Sequence, residues 1–300
     1  MVMNEMPYIV EWIEFMRLQG VDRFIIYNDD STDNVVLLRD FYLQRGEVNV
    51  HVLQRPGRHG DQNVAFHDCH ARFGNTTTWM MISDTDEYFF SPRYGTVRDA
   101  LNKMPPTVSV VHGNCVRYGT NGKVHRFRYA LRRGLYGLLQ YENECGQQIL
   151  ATHTHHGPDK RLSKEQGILE EKLLATLPGC AKKPGWNVCY HGPGKSIFRP
   201  EMVKQVDIHQ PALYNGSYSS YMIDVRCNHF YLRTKDDAML KAQQWHKEDP
   251  KRMFEDTDVA FWSAAQDDDM LRWVPALKAR MLELAVYPVD PHSQEADVCQ

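Results

Sequence analysis

The stretch Trp79-Met80-Met81-Ile82-Ser83-Asp84-Thr85-Asp86-Glu87 passes from a mostly apolar run directly into a cluster of acids. The apolar run predicts a strand over residues 79–83, and the carboxyl end of a strand is where open α/β sheets bind their ligands. Residues two apart on an extended chain share a face, so Asp84 and Asp86 can reach one point while Thr85 looks away. Two converging carboxylates suit a hard divalent cation, Mg²⁺ or Mn²⁺, whose other positions phosphate oxygens can fill. A solvated acidic turn is the competing interpretation.

The hydrophobic periodicity before this stretch alternates between strand and helix. It predicts helices over 5–19, 34–45 and 61–73 and strands over 24–27, 48–53 and 79–83. This β-α-β-α-β rhythm predicts an α/β fold with a parallel or mostly parallel sheet and right-handed crossovers. Further along, the pattern predicts helices over 96–104 and 235–247 and strands over 107–117 and 221–227.

The composition is that of a globular protein rather than a nucleic-acid or membrane protein. Of 300 residues, 42% are hydrophobic and 24% charged, and the formal net charge of −3 gives no electrostatic reason to bind nucleic acid or an anionic membrane. No apolar run approaches the ~18 residues of a membrane span, and the start has no signal-peptide layout. We therefore expect a cytoplasmic protein as the chain stands, or a lumenal one if it is a fragment of a longer protein. Seven scattered cysteines without a CxxC pair favour reduced thiols over a zinc site.

Six segments, in order, resemble glycosyltransferase family 92. The first is Asn4-Glu5-Met6-Pro7-Tyr8 with its continuation to Phe15, and the acidic stretch above is the fourth. The others are residues 20–33, 62–69, 194–200 with His209 and Pro211, and 228–241. Together they cover most of residues 4–245, which makes the resemblance far more specific than any one segment.

The resemblance implies a GT-A fold, in which a Rossmann-like nucleotide-binding half joins an acceptor-binding half. We expect one domain over 1–290, with the halves at 1–120 and 121–250, and a disordered tail at 291–300. The family normally has a strand just before its Asn-Glu segment, whereas only Met1, Val2 and Met3 stand there in this chain. The sheet could therefore lack its first strand.

The resemblance also implies an activity: transfer of a hexose, typically galactose, from a UDP-sugar donor to a glycan or glycoconjugate acceptor, with inversion and with Mn²⁺ or Mg²⁺. Two alternatives stay open. One is a metal-dependent phosphotransferase or nucleotidyltransferase, although the chain has no glycine-rich phosphate loop. The other is a truncated, inactive family member that binds nucleotide or glycan without turnover.

The resemblance assigns roles in binding the metal and the nucleotide. Asp84 and Asp86 would bridge the metal to the diphosphate, and His229 would be the third metal ligand, since imidazole suits Mn²⁺ better than Mg²⁺. Asp30 would contact the uracil or ribose, while helix capping by Ser31 or Thr32 is the other explanation of its turn. A packed core histidine is the alternative for His229.

The remaining roles concern phosphate and proton transfer. Lys195 and Arg199 would offset phosphate charge, and Glu87 would either bind the sugar or brace the acidic loop. An inverting reaction needs a base for the acceptor hydroxyl, for which a carboxylate is usual. Asp224 is the first candidate, and Glu170 or Glu171 are also open.

Overall fold

The computed structural model describes residues 1–121, 123, 129–133, 139–143, 155–156, 181–183, 186–188, 195–209, 211–214, 218–245, 265–266 and 269–284. The predicted tail at 291–300 and part of the predicted acceptor-binding half lie outside these residues. Within the described part, none of the helices combines the length and the apolarity needed to cross a membrane.

The described elements confirm the predicted α/β class. The helices are α1 (Met6–Leu18), α2 (Leu38–Leu43), α3 (Gln62–Phe73), α4 (Val97–Asn102), α5 (Lys235–Trp245) and α6 (Val274–Leu284). The first strands are β1 (Phe24–Asn28), β2 (Val50–Gln54), β3 (Met80–Met81), β4 (Glu87–Phe90), β5 (Val108–Arg117), β6 (Tyr129–Arg133), β7 (Leu139–Asn143) and β8 (His155–His156). The later strands are β9 (Ala181–Lys183), β10 (Trp186–Val188), β11 (Ser196–Phe198), β12 (Val203–Gln205), β13 (Ala212–Leu213), β14 (Tyr218–His229) and β15 (Ala265–Gln266).

Helix α1 begins and ends as its sequence predicts. Pro7 lies in the first turn, where its missing N–H costs nothing. Gly20 follows the helix with φ +89°, and a Cβ there would meet Arg98 Cβ at 2.6 Å. Both the left-handed conformation and the close contact favour glycine at this position. Helix α1 is buried on all sides between Tyr8 and Met16, and its fully buried Ile9, Ile13 and Phe15 belong to the main hydrophobic core.

Strands β1 and β2 pair in parallel, as the sequence predicts, with Phe24 opposite Val50. The predicted helix over 34–45 between them is shorter: residues 34–37 form a 3₁₀ turn and only Leu38–Leu43 is α-helical. Asp33 accepts the Val35 N–H at 3.1 Å and so starts this tight turn. The adjacent β-branched residues Val35 and Val36 lower helix propensity there.

The central sheet is mixed in direction. Its order is β3-β11-β5-β14-β4. Within it β5 and β14 are parallel, while β11 is antiparallel to both β3 and β5, and β14 is antiparallel to β4. The regular rhythm that predicted a mostly parallel sheet covers only β1 to β3, whereas β11 and β14 come from the less regular second half of the chain.

Val2 pairs with β1 at the position where we expected the first strand of the sheet. Val2 forms a parallel bridge with Asn28, its N–H donating to Tyr27 O at 2.8 Å and its carbonyl accepting from Asp29 N at 2.8 Å. Residues of β1 and β3, together with Trp12 and Trp79, line a cavity of about 730 Å³. Among the described residues, β1 and β2 form a sheet separate from the five-stranded one.

Candidate active site

The acidic loop crosses one end of the central sheet. Strand β3 was expected over 79–83 but consists of Met80–Met81, and the chain then turns through Asp84 and Asp86 into β4. Since β3 and β4 are the two edges of this sheet, the connection runs past the ends of the strands between them. Lys195 immediately precedes β11 and His229 ends β14 at that same end. Topology therefore brings two cationic or metal-ligating side chains from the second half of the chain to the acidic loop.

Lys195 binds the first acid of the loop. Its Nζ lies 2.8 Å from Asp84 Oδ2 and 3.7 Å from Glu87 Oε2. The lysine side chain is only 3% exposed, so burial alone would lower its pKa. The carboxylates of Glu87 and Asp84 outweigh this effect and hold the pKa of Lys195 above its usual value. The ammonium is therefore a fixed positive charge at this end of the sheet.

Glu87 is enclosed beneath the loop. Its Oε2 accepts the backbone N–H of Asp84 at 3.0 Å, and its own carbonyl accepts from Trp12 Nε1 at 2.9 Å. Burial and then the negative charge of Asp84 raise the pKa of Glu87, against the opposing effect of Lys195. Of its two predicted roles, the described contacts are those of a brace for the loop rather than of a group open to a sugar.

Asp86 lies beside the predicted third ligand. His229 Nε2 is 3.4 Å from Asp86 Oδ1, and the Asp86 carbonyl accepts the N–H of Phe230 at 2.8 Å. The Asp86 and His229 side chains are 8% and 15% exposed. The structure therefore brings together the carboxylate and the imidazole of the predicted metal site, at a position where a cation could contact both.

Thr85, between the two acids, is held from the opposite side. Its Oγ1 donates to Glu5 Oε2 at 2.7 Å. The same Glu5 oxygen lies 2.7 Å from Arg233 Nη1, and Arg233 Nη2 is 3.4 Å from Thr85 Oγ1. Arg233 also stacks on Tyr8, with 4.0 Å from its guanidinium carbon to the ring centroid. The loop is thus fixed both by Lys195 and by this Glu5-Arg233 pair.

A second acidic group follows β1, where Asp30 was predicted to contact nucleotide. Asp30 has φ +54°, and its carboxylate accepts from Arg55 Nη2 at 2.6 Å and Gln54 Nε2 at 2.8 Å. The hydrogen bond from Arg55 lowers the pKa of Asp30. Arg55 also pairs with Asp29, which His59 Nδ1 approaches to 3.0 Å. Asp30 remains 57% exposed, so its outer side is accessible to a ligand.

Arg199 does not join this arrangement, and the candidate bases fall outside the described part of the chain. Arg199 follows the other end of β11, four residues from Lys195, a separation of roughly 13 Å on an extended strand. Its Nε donates to Val108 O at 3.1 Å and its guanidinium lies over Trp79. Asp224 lies in β14, but its side chain, like Glu170 and Glu171, is outside the described part of the chain. The predicted roles of these residues stay predictions.

The donor set around the loop fits a divalent cation. Carboxylate and imidazole together are ligands that Mn²⁺ accepts, and Asp86 and His229 are already adjacent. Asp84 is a third exposed and is held by Lys195 rather than by these two. Among the described residues, the groups whose donor atoms all lie within 4.8 Å of one another are Glu87 with Cys115 and Cys227, and Asp29 with Asp30 and His59. Joining Asp84 to the other two ligands would therefore require a movement of the loop.

The residues that sequence reasoning missed are Glu5, Thr85 and Arg233. All three fall inside segments that carried the family resemblance, so a signal was present. Their pairing could not be read, because Arg233 is separated from Glu5 by 228 positions and a buried ion pair leaves no local pattern in the chain.

The chain matches known proteins of one family. Residues 2–260 match the model of Glycosyltransferase family 92. A family 92 protein of Ricinus communis is 30% identical over 95 residues, which cover 31% of this chain and 16% of that protein. Family 92 proteins of Oryza sativa subsp. japonica and Arabidopsis thaliana are 25% and 26% identical over 125 and 137 residues, covering 41% of this chain in each case and 21% and 23% of those proteins. The matched part of the chain thus spans less than a quarter of the length of these relatives.

A solved structure also resembles the chain at a low level. The crystal structure of S. aureus TarS 1–349 has a TM-score of 0.39 and 14% sequence identity, covering 95% of this chain and 73% of that chain. A score this low supports no conclusion about the site.

Proposed function

The chain belongs to glycosyltransferase family 92, and on this premise we propose that it transfers a hexose from a UDP-sugar to a glycan acceptor with the help of a divalent cation. The α/β architecture agrees with the GT-A fold expected of the family. Galactose is the sugar we expect the donor to carry, and Mn²⁺ the cation, with Mg²⁺ as the substitute. The proposal includes inversion at the anomeric carbon.

The proposal rests on two contacts at one end of the central sheet. Asp86 lies beside His229, and Asp84 is paired with Lys195. Asp86, His229 and Asp84 would hold the cation, which when bound supplies positive charge to a diphosphate leaving group. Lys195 supplies a second positive charge beside the same loop, and the carboxylates around it keep it protonated. A site with this charge pattern suits a substrate that loses a diphosphate.

Asp30 supports the donor side of the proposal. It lies at the carboxyl end of β1, and its exposed carboxylate is oriented by Gln54 and Arg55. A carboxylate in this position can accept hydrogen bonds from a ribose hydroxyl or from the uracil N–H. Preorganisation by two donors reduces the entropy cost of that contact.

Inverting transfer requires a base near the acceptor hydroxyl, and Asp224 is the residue we propose for it. Glu87 is enclosed and bound to the loop backbone, so we assign it to bracing the loop.

Metal-dependent binding of UDP tests this function without needing the acceptor. A ligand that binds only the folded state raises the melting temperature. We expect UDP with Mn²⁺ to stabilise the full chain, and UDP with EDTA to leave it unchanged. Stabilisation by UDP that is independent of the metal would contradict the role of the acidic loop.

The same experiment has an internal comparison in the chain. Asp86→Asn should abolish the stabilisation, whereas Asp269→Asn should retain it, because Asp269 pairs with Arg226 away from the acidic loop. Stabilisation that needs metal but is accompanied by no sugar transfer would favour the alternative of a binding protein without turnover.

A further inference from the structure

Arg55 joins the two loops that follow β1 and β2. Its side chain is 13% exposed, and each of its three guanidinium nitrogens contacts an oxygen of the protein. Nε pairs with Asp29 Oδ1, Nη1 donates to the carbonyl of Gly57, and Nη2 donates to Asp30 Oδ2 at 2.6 Å. Because all three nitrogens are engaged in this way, Arg55 is better placed to hold neighbouring groups than to bind a phosphate itself.

Asp29 is the fixed end of this arrangement. Its side chain is 5% exposed, and its backbone N–H donates to Val2 O at 2.8 Å. Its Oδ2 accepts the N–H of Gly60 at 3.2 Å and lies 3.0 Å from His59 Nδ1. A buried carboxylate held by backbone and side-chain donors gives the Arg55 guanidinium a rigid anchor, since a buried charge is stable only with its partners in place.

Asp30 is the exposed end. It has φ +54°, a left-handed conformation that aspartate tolerates better than most residues, and its side chain is 57% exposed. Arg55 Nη2 and Gln54 Nε2 each hold one oxygen of its carboxylate, at 2.6 and 2.8 Å. Each carboxylate oxygen has a second lone pair, so this pairing orients the group and still leaves acceptor sites for a ligand.

We propose that Arg55 is a positioning residue for the donor side of the sugar transfer proposed above, on which this inference rests. Anchored on the buried Asp29, Arg55 holds the exposed carboxylate of Asp30 in one orientation before the nucleotide binds. The side chain is then ordered by folding rather than by binding, which strengthens the contact with the nucleotide. Without Arg55, Asp30 keeps its charge but one of its oxygens is no longer held.

The test is a double-mutant cycle on the Mn²⁺-dependent affinity for UDP, measured by calorimetry on the full chain. Arg55→Met should weaken binding about three- to tenfold, since binding must then order one more side chain. The double variant Arg55→Met with Asp30→Ala should bind like Asp30→Ala alone, because Arg55 acts through that carboxylate. Losses that add would show that Arg55 contacts the ligand directly or only supports the fold, and would overturn the inference.

A second arginine provides the matched control. Arg98 also pairs with an exposed aspartate, Asp22, at 2.9 Å, but this pair lies before β1 and away from the loops of Asp30. We expect Arg98→Met to bind UDP like the wild type. An equal loss of affinity in Arg98→Met and Arg55→Met would mean that removing any such arginine weakens binding, which contradicts a specific role of Arg55.

A milder variant covers the case in which Arg55→Met does not fold. Arg55→Lys keeps a positive charge beside Asp29 but has a single nitrogen, so it cannot hold Asp29 and Asp30 together as the guanidinium fork does. We expect this variant to fold and to bind UDP about threefold more weakly or worse, and wild-type affinity would contradict the positioning role. If the wild type binds UDP with Mn²⁺ and both Arg55 variants bind equally well, this inference fails alone. If the wild type shows no metal-dependent binding, the proposed function fails and the role of Arg55 fails with it.

Discussion

The Lys195 ammonium lies 2.8 Å from Asp84 Oδ2 and 3.7 Å from Glu87 Oε2, so one buried cation contacts both ends of the acidic loop. The hydrogen bond from Asp84 N to Glu87 Oε2 closes the same unit within the backbone. The loop is therefore ordered by the protein's own charges.

Replacing Lys195 should destabilise the fold as well as the site. Lys195→Met leaves the buried Glu87 without its cation, and breaking a buried pair from one side typically costs about 3 kcal/mol. We expect the free energy of unfolding, measured by urea denaturation at pH 7, to fall by roughly that amount. Lys204→Met, at an exposed position of β12, is the control and should change it little. Equal stability of the two variants would contradict the structural role of Lys195.

His112 should make the protein sensitive to acid. It is buried in β5 with Nδ1 3.1 Å from Ser196 Oγ, and burial lowers the pKa of His112 to about 4. The unfolded chain, with an ordinary histidine pKa near 6.5, then takes up the proton first. The contribution of His112 to stability is therefore complete above about pH 6.5 and is lost as the pH falls through 4.

A comparison of urea midpoints at pH 7 and pH 5 tests this sign. His112→Asn should lose less stability between these values than the wild type does, whatever its stability at pH 7. An unchanged pH dependence in His112→Asn would show that another group is responsible.

Gly113 should not tolerate a side chain. A Cβ at this position of β5 would meet Phe89 Cε1 at 2.5 Å, inside the central sheet. Gly113→Ala should therefore cost about 1–3 kcal/mol of unfolding free energy, as overpacking does. Gly46→Asn is a useful control because nothing lies within 4 Å of it and asparagine accepts its φ of +76°. A thermal melt in which Gly113→Ala matches the wild type would contradict the packing described here.

Asp30 should matter for the ligand and not for the fold. Asp30→Ala removes an exposed carboxylate, so we expect an unchanged melting temperature and Mn²⁺-dependent UDP binding weakened by roughly tenfold, the loss of one charged hydrogen bond. Asp22→Ala is the matched control, since Asp22 is also an exposed aspartate paired with an arginine, Arg98, but lies before β1. Similar UDP affinities in the two variants would remove Asp30 from the proposed site.

Much of the first half of the fold could be predicted from local patterns. Helix α1, strands β1 and β2 and the position of the acidic loop follow from periodicity, from Pro7 and from turn residues. The mixed direction of the central sheet could not be predicted, because β11 and β14 are brought in by long connections. Arg199 and Lys195 are only four residues apart, but they lie at opposite ends of the sheet because they flank the two ends of the extended strand β11.

In the candidate site, too, the sequence predicted which residues take part but not how they pair. The resemblance singled out Asp84, Asp86, Lys195 and His229, and the structure places all four at one end of the sheet. It could not indicate that Asp84 is held by Lys195 while Asp86 lies beside His229. Nor could it reveal the Glu5-Arg233 pair, because that contact depends on how α1 packs against the loop after β14.

The most direct test of the central claim is sugar transfer and hydrolysis of UDP-galactose by the purified chain, with Mn²⁺ and with EDTA, beside Asp86→Asn. We expect release of UDP that requires Mn²⁺ and is lost in Asp86→Asn, while Asp269→Asn remains active. Release of UDP that persists in EDTA, or that survives in Asp86→Asn, would contradict the assignment of the acidic loop as the metal-binding centre of a glycosyltransferase.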